Sequence, residues 1–249
     1  MKLGQNFLID KKIADKEIAY AKIKKDDIVL EIGPGKGILT KRIAKKAKKV
    51  IAVEIDKKLV KKLKKNLPKN TRIINKDILD LDFKKINFNK VVSNLPFQIS
   101  SPLTFKLLKT NFDLAIMLYQ QEFAKRMTAE PGEKNYSRLS VGVYYKAKCK
   151  ILKKVPKSCF FPQPKVDSCI VKLVPRKKPL FKVHDENFFF KLTRDLFNHR
   201  RKKIRNTLKN KYGIKNFEDI LFTDKRVEKL SPRQIGMISN EIFKRIKKS

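Results

Sequence analysis

The chain has 249 residues, 41% of them apolar, which is enough for one substantial packed core and a smaller appended domain. Its 62 Lys and Arg against 24 Asp and Glu give a net charge of +38, which excludes an acidic or neutral surface. This balance favours a polyanionic partner, and nucleic acid is favoured over an anionic membrane because no lipidation motif or long apolar segment is present.

The few cysteines and histidines limit the metal ligands and catalytic side chains that the chain can supply. Cys149, Cys159 and Cys169 form no C-x-x-C pair, and no signal peptide is recognised, so we expect reduced thiols in a cytoplasmic protein. His184 and His199 are the only histidines. A histidine-based metal site or catalytic triad is therefore not expected, and we predict no metal.

The first predicted elements are a capped helix and a strand that runs into a glycine turn. A helix is expected over Lys11 to Ala21 with Asp10 as its N-cap. The segment Ile28–Gly37, IVLEIGPGKG, predicts a buried strand, a turn with glycine at 33, 35 and 37, and then a helix with apolar residues at 38, 39, 43 and 44. Alternate glycines let the backbone approach a ligand closely at the start of a helix, although a plain tight turn is the simpler alternative.

An acidic residue stands at the distance that a nucleotide site requires. Lys49 to Val53 predicts the next parallel strand, and Glu54 lies at its carboxyl end, about 20 positions after the first glycine, where ribose hydroxyls are held. The G-x-G-x-G spacing is one residue shorter than the dinucleotide fingerprint, and Glu31 precedes it. This combination resembles motif I of the S-adenosylmethionine-dependent methyltransferases more than a dehydrogenase site.

A third strand contributes another acid at its carboxyl end. A helix marked by leucines at 59, 63 and 67 ends at Pro68, and the strand follows over Thr71 to Ile74. Asp77, followed by Ile78, then falls where ligands lie in a doubly wound sheet, and its carboxylate could accept a hydrogen bond from an adenine amino group. A turn or capping Asp is the structural alternative.

The fourth strand, Lys90 to Ser93, leads into Asn94-Leu95-Pro96-Phe97. An adenine amino nitrogen is barely nucleophilic because its lone pair is delocalised into the ring. The Asn94 side-chain oxygen and the backbone carbonyl of Leu95 or Pro96 could accept both N–H bonds and draw the nitrogen toward tetrahedral geometry. Pro96 would fix the turn, and Phe97 would stack on a base taken out of its helix.

Further alternation of helices and strands predicts a single α/β sheet followed by a helical domain. The remaining elements of the first part are a helix at 103–108, a strand at 114–118, a helix at 121–127, a loop at 130–133, and closing strands at Leu139 to Ala147 and Ser168 to Val174. The segment Pro175–Pro179 marks the boundary between domains 1–175 and 176–249. Helices are then expected at 188–197, 204–208, 217–221 and 234–246.

The second domain is the more densely basic part of the chain. Residues 176–249 contain 22 Lys and Arg against 8 Asp and Glu. The charge is concentrated in one cluster: Arg200, Arg201, Lys202, Lys203 and Arg205. We predict that this cluster binds RNA.

These motifs together resemble the ribosomal RNA adenine dimethyltransferases of the small-subunit type. The matching segments are 5–8 (QNFL), 31–37 (EIGPGKG), Glu54, Asp77, 94–97 (NLPF), 160–168 (FFPQPKVDS) and 200–205 (RRKKIR), in family order over nearly the whole chain. The resemblance implies a Rossmann-like class I methyltransferase sheet with a small C-terminal helical domain. It also implies transfer of two methyl groups to N6 of each of two adjacent adenines near the 3′ end of small-subunit rRNA.

The same resemblance implies roles for individual residues. Residues expected at the S-adenosylmethionine site are Gln5, Asn6, Leu8, Gly33, Gly35, Glu54, Asp77, Ile78 and Asn94. Phe97 and Phe160 would sandwich the target adenine, and Phe97 replaces the tyrosine that is commoner in the family, which keeps stacking but loses a hydroxyl. The implied partner is the small ribosomal subunit, and we expect a monomer.

Three other functions fit parts of the pattern. A large-subunit rRNA adenine dimethyltransferase shares the core motifs, although the Pro-Gln-Pro-Lys-Val segment and the basic tail favour the small-subunit type. A ribosome-assembly or RNA-binding factor could keep the fold without chemistry, but the intact site motifs argue against that loss. An NAD-linked oxidoreductase is disfavoured by the short glycine spacing.

Overall fold

The computed structural model describes residues 5–248, with side chains described through residue 247. Its strands are β1 Phe7–Leu8, β2 Ile28–Ile32, β3 Lys49–Glu54, β4 Thr71–Asn75, β5 Lys90–Asn94, β6 Leu114–Gln120, β7 Ala147–Val155, β8 Phe160–Phe161 and β9 Ser168–Pro175. Its α-helices are α1 Lys11–Ala21, α2 Thr40–Ala44, α3 Lys57–Lys64, α4 Ser100–Leu107, α5 Gln121–Thr128, α6 Arg138–Lys146, α7 Glu186–Asn198, α8 Ile204–Tyr212 and α9 Pro232–Lys248. None of the helices within these limits combines the length and apolarity needed to span a bilayer.

The main sheet has the strand order β4-β3-β2-β5-β6-β9-β7. The first five strands are parallel, whereas β9 is antiparallel to both β6 and β7. The central strand β2 places Leu30 opposite Ile51 on β3 and opposite Val91 on β5. The predicted α/β class is therefore confirmed; within this sheet β9 runs opposite to the other six strands and links the edge strand β7 to the parallel set.

Continuous apolar runs explain why the central strands lie inside. Leu30, Val91 and Ile116 are fully buried, and such runs are typical of parallel strands that are covered on both faces. Helix α1 packs against the sheet through Ile13, Ala14 and other apolar residues of one face. Its predicted N-cap is confirmed, because the Asp10 carboxylate accepts a hydrogen bond from the Ile13 N–H at 3.1 Å.

A buried ion pair anchors the loop between α1 and β2. The Lys90 ammonium lies 2.8 Å from an oxygen of Asp27 and donates to the Ala21 carbonyl oxygen at 3.1 Å. Burial by itself would raise the pKa of the Asp27 carboxyl. Hydrogen bonds from the Lys24 N–H, Lys90 and Asn89 more than offset that effect and lower the pKa below its usual value.

Contacts divide the chain into two compact units. The first contains the described residues up to 124 together with 147–175, and the second contains 125–146 together with 176–248. The break after residue 175 coincides with the domain boundary expected from the sequence. Residues 125–146, which the sequence assigned to the first domain, belong instead to the second unit.

The second unit has its own apolar core. Phe189, Leu192, Ile235 and Ile238 are buried there, together with Tyr145 of helix α6. Aromatic rings pack closely around Tyr145, whose ring centroid lies 5.1 Å from that of Phe189. Helix α6 contributes to this core, which explains why residues 125–146 leave the first unit.

Two predicted elements were wrong. The strand expected over Leu139 to Ala147 is helix α6, and the strand begins only at Ala147. The alternating pattern suggested a strand, but Val141 and Tyr145 lie four residues apart on one helix face and both pack into the second core. The strand that follows, β7, was missed because it is an edge strand with exposed lysines.

The helix expected over residues 217–221 is also absent from the structure. These residues form a single turn, in which the Ile220 N–H donates to the Phe217 carbonyl oxygen at 3.0 Å. Ile220 is buried in the second core, whereas Leu221 is exposed. Phe222 then adopts a left-handed φ of 67°, which ends any helical path.

Candidate active site

The topology brings the two sequence motifs together at one edge of the sheet. Strand β2 pairs with β3 on one side and with β5 on the other, so the strand order reverses between β2 and β5. Ligands of open α/β sheets bind at such a switch point, outside the carboxyl ends of the strands. Gly33 follows β2 and Asn94 ends β5. The turn after β5 accordingly lies beside the glycine turn: a Cβ atom at Gly33 would lie 3.4 Å from Cδ of Pro96.

The glycine turn requires glycine for conformational reasons. Gly33 and Gly35 have φ values of +66° and +56°, a region that residues with a Cβ rarely occupy. At Gly35 a Cβ would also lie 2.9 Å from Cδ1 of the Phe7 ring. The α-helix after the turn begins only at Thr40 and is five residues long, so the turn and not an extended helix forms this wall.

Glu54 is held at the end of β3 by backbone donors. Its carboxylate accepts hydrogen bonds from the Gly35 N–H at 3.3 Å and the Asp56 N–H at 3.0 Å. Burial raises the pKa of this carboxyl, and the hydrogen bonds from Asp56 and Gly35 counteract part of the rise. Each carboxylate oxygen accepts one of these bonds and keeps further acceptor capacity, as a partner for hydroxyl donors requires.

The cleft beside Glu54 collects most of the residues that the sequence singled out. Predicted residues that line it are Gln5, Asn6, Gly33, Gly35, Glu54, Asn94, Leu95, Pro96, Phe97 and Phe160. Lining residues that were not predicted from the sequence are Phe7, Ile55, Leu59, Gln98 and Leu118. Four of these five neighbour a predicted residue in the chain or lie on a predicted strand, but only the packing shows which side of the backbone they face.

A short antiparallel pair brings the N-terminal motif to the Phe160 motif. Strands β1 and β8 pair with Phe7 opposite Phe161 and Leu8 opposite Phe160. Since neighbouring residues of a strand face opposite ways, Phe7 lines the cleft while Leu8 is buried in the apolar core; its partner Phe160 is buried in the same core and also borders the cleft. Phe161 points outward and is 63% exposed.

Three residues expected at the cofactor site do not line the cleft. Leu8 is buried in the core and Ile78 is buried as well. Asp77 is half-buried, and its carboxylate accepts a hydrogen bond from the Leu79 N–H at 2.8 Å, which is the turn-capping role considered from the sequence.

Two further carboxyl groups lie buried close to the cleft. Glu17 of α1 and Glu31 of β2 are 0% and 1% exposed. Burial raises the pKa of Glu31 to about 8, and the charge of Glu54 contributes to the rise. Burial also raises the pKa of Glu17 well above its usual value, with a further contribution from Glu31.

The predicted RNA-binding cluster lies in the second unit, and its members differ in their surroundings. Arg200 donates to the Glu228 carboxylate at 2.7 Å and to the carbonyl oxygens of Lys134 and Glu133 at 2.8 and 3.1 Å. The ammonium of Lys203 and the guanidinium of Arg205 lie 3.1 and 2.9 Å from the Asp224 carboxylate.

The two remaining members of the cluster, Arg201 and Lys202, form no ion pairs within the described part of the chain. Both side chains are exposed. Arg200 therefore stabilises the fold of the second unit. Arg201 and Lys202 are the members of the cluster whose charges are fully available at the surface.

The cleft combines polar, apolar and aromatic surfaces. A carboxylate with spare acceptor capacity stands at one wall, and a glycine turn allows a ligand to approach the backbone there. Ile55 and Leu59 add an apolar surface beside Glu54, and Phe97 and Phe160 add aromatic rings. A carboxylate acceptor beside apolar and aromatic surfaces suits ligands that carry both hydroxyl groups and flat rings, as nucleosides do.

A doubly wound sheet with this cleft at its switch point is the architecture of the class I methyltransferases. A dimethyladenosine transferase from Plasmodium falciparum superposes with a TM-score of 0.84 at 32% identity, over 96% of this chain and 98% of that one. The 23S rRNA methyltransferase ErmE superposes with a TM-score of 0.72 at 28% identity, over 95% and 99% of the two chains.

Sequence comparison leads from this class to one family. The family model described as ribosomal RNA adenine dimethylase matches residues 1–244. A probable ribosomal RNA small subunit methyltransferase A from Methanococcus aeolicus is 47% identical over 268 aligned positions, covering 100% of this chain and 98% of the relative. A protein of the same description from Methanosarcina acetivorans is 47% identical over 96% of this chain and 92% of its own length. The chain belongs to the ribosomal RNA adenine dimethylase family.

Proposed function

We propose that this protein transfers methyl groups from S-adenosylmethionine to N6 of two adjacent adenines near the 3′ end of small-subunit rRNA, two to each base. The observation that supports this most is the meeting of the glycine turn, Glu54 and the Asn94–Phe97 segment in one cleft of a chain of this family. We further propose that the protein acts as a monomer on the small ribosomal subunit in the cytoplasm.

On the cofactor side, Glu54 would accept hydrogen bonds from the ribose hydroxyls, and the turn at Gly33 and Gly35 would allow close approach of the methionine part. Gln5 would support this wall indirectly, since its side-chain nitrogen donates to the Asp56 carboxylate at 3.3 Å, beside Glu54. When bound, S-adenosylmethionine supplies an electrophilic methyl group on a sulfonium.

On the substrate side, Asn94 and the segment that follows would prepare the weak nucleophile. The Asn94 side-chain oxygen and a carbonyl oxygen of Leu95 or Pro96 would accept the two N–H bonds of the adenine amino group, so that its lone pair is directed at the methyl group. Phe97 and Phe160, which both line the cleft, would hold the base between their rings. No strong base is needed before transfer, because the acceptors stabilise the developing positive charge on nitrogen.

The basic surface would hold the RNA. In the second unit, Arg201 and Lys202 present exposed charges that phosphates could neutralise. Arg200, Lys203 and Arg205 belong to the same cluster, but their partners within the unit make them weaker candidates for direct contact with RNA.

The test is methyl transfer from labelled S-adenosylmethionine to small subunits isolated from cells that lack the modification. Naked rRNA and large subunits serve as parallel substrates, and the product is identified as dimethyladenosine after nuclease digestion. The matched inactive control is Asn94→Ala, which should abolish transfer while cofactor affinity stays within about tenfold. Dimethyladenosine confined to the small-subunit reaction supports the proposal, and failure to label small subunits contradicts it.

A second candidate is methylation of large-subunit rRNA, which the likeness to ErmE over nearly the whole chain favours. Labelling of large subunits or their naked rRNA, with small subunits unlabelled, would identify this activity. Cofactor binding without transfer to any of the three substrates would instead favour an assembly factor.

A further inference from the structure

The amide of Asn94 has a defined orientation because of one buried neighbour. When the amide nitrogen of Asn94 faces Glu17, it lies 3.0 Å from both carboxylate oxygens of Glu17. In the opposite orientation the amide oxygen would face only acceptor atoms. The nitrogen therefore points to Glu17, and the oxygen of the same planar amide is directed away from Glu17.

Glu17 is an unusual residue to find at this place. It lies on α1, is 0% exposed, and is not one of the residues that line the cleft. Among the residues that the structure describes, no Lys or Arg forms an ion pair with it. A buried carboxyl without a cation is costly, and one that contributed nothing beyond packing could be replaced by an apolar side chain at no loss.

We propose that Glu17 is a positioning residue that locks the amide of Asn94 so that Oδ1, and not the NH2 group, is presented to the target adenine. This inference rests on the proposed function, because it concerns the acceptor that the methyl transfer requires. An amide rotated by 180° would direct N–H donors at the amino group of the base. The two donors would then repel each other, and the nucleophile would lose the acceptor that activates it.

The same hydrogen bond would also strengthen the acceptor. Donation from the amide nitrogen to an oxygen of Glu17 polarises the amide and increases the negative charge on its own oxygen. Glu17 is thus expected to affect the rate of the chemical step more than the binding of the cofactor, whose ribose and methionine parts are proposed to contact Glu54 and the turn at Gly33 and Gly35.

Three variants separate this role from packing. Glu17→Leu removes the acceptor but keeps an apolar side chain of similar size, and we expect kcat to fall at least tenfold while KM for S-adenosylmethionine stays within about twofold. Glu17→Gln can present either oxygen or nitrogen to Asn94, so it should lose less activity than Glu17→Leu. Asp15→Asn is the control, since it removes an exposed carboxylate of the same helix that pairs with Arg42, and it should leave kcat unchanged.

A spectroscopic measurement tests the contact independently of catalysis. In protein labelled with ¹⁵N-asparagine, the side-chain amide signal missing from Asn94→Ala identifies Asn94. That signal should show hydrogen-bonded, slowly exchanging protons in the wild type, and should move to values typical of free amides in Glu17→Leu. Glu17→Gln gives a second reading of the same signal if Glu17→Leu does not fold.

The outcomes distinguish the inference from the proposed function. If the wild type methylates small subunits but Glu17→Leu does so with unchanged kcat, or the Asn94 amide signal does not respond, the positioning role is refuted and the proposed function stands. The positioning role is also refuted if the signal shows the NH2 group free in the wild type, because a protonated Glu17 would then donate to Oδ1. If the wild type labels no substrate, the proposed function fails, while a responding amide signal still establishes the contact.

Discussion

Replacing Gly35 by alanine should damage cofactor binding more than it damages the fold. The residue has a φ of +56°, where a side chain with a Cβ costs about 1–2 kcal/mol. The new Cβ would also lie 2.9 Å from the Phe7 ring, which is closer than carbon atoms tolerate. Relief of such overpacking costs typically about 1–3 kcal/mol.

The direction in which the Phe7 ring moves decides whether the clash lowers cofactor affinity or only stability. The Phe7 ring is half-buried and lines the cleft, so the easiest movement takes it toward the space that the cofactor would occupy. If the cofactor must push the ring back, a cost of about 1–3 kcal/mol appears in binding as roughly a 5- to 150-fold loss of affinity. The strain at positive φ appears separately, as a lower free energy of unfolding.

Gly213→Ala is the matched control. Gly213 has a φ of +67° at the end of α8, but a Cβ there would have no heavy atom within 4 Å. This variant should therefore carry the backbone strain without the clash. Calorimetric titration with S-adenosylmethionine and thermal unfolding of both variants separate the two contributions. Equal, wild-type-like affinity in Gly35→Ala and Gly213→Ala would refute the reasoning.

Three further predictions concern the buried charges and the basic surface. Glu31→Gln should flatten the dependence of stability on pH. The Glu31 carboxyl, with a folded pKa of about 8, binds its proton more tightly in the folded than in the unfolded chain, so the stability of the wild type falls as pH rises toward 8. The free energy of unfolding, measured across pH 5–8 for both proteins, checks this dependence. Lys90→Met should lower the free energy of unfolding by about 3–5 kcal/mol in denaturant titrations, because it leaves Asp27 buried without its cation. Affinity for small subunits should fall steeply with salt, and Arg201→Ala with Lys202→Ala should reduce that slope in filter-binding assays.

Each of these predictions has a clear contrary result. An unchanged pH profile in Glu31→Gln would mean that this carboxyl is not the group that titrates. For Lys90→Met, the double variant with Asp27→Asn should recover part of the loss, and no recovery would show that the pair is not the cause. A flat salt response of the wild type would mean that the positive charge serves a purpose other than phosphate binding.

The sequence by itself determined the parts of this protein that depend on local pattern. Buried runs such as Ile28–Ile32 predicted parallel strands, because residues covered on both sides of a sheet are apolar at every position. The glycines at 33 and 35 predicted a turn that other residues cannot form, and Asp10 predicted the start of α1. The spacing of these motifs predicted the fold class and the family.

Only the tertiary structure decided matters that depend on distant neighbours. The segment that became α6 alternates like a strand, yet a second core of aromatic residues far along the chain makes a helix the better way to bury Val141 and Tyr145. The sequence placed Arg200 among the RNA-binding residues, but its guanidinium donates to the Glu228 carboxylate and to two backbone carbonyl oxygens. The sequence pattern indicated no role for Glu17, since a glutamate on an amphipathic helix is usually exposed. Its contact with Asn94 exists because the packing of α1 brings together residues 77 positions apart, a proximity that no local pattern encodes.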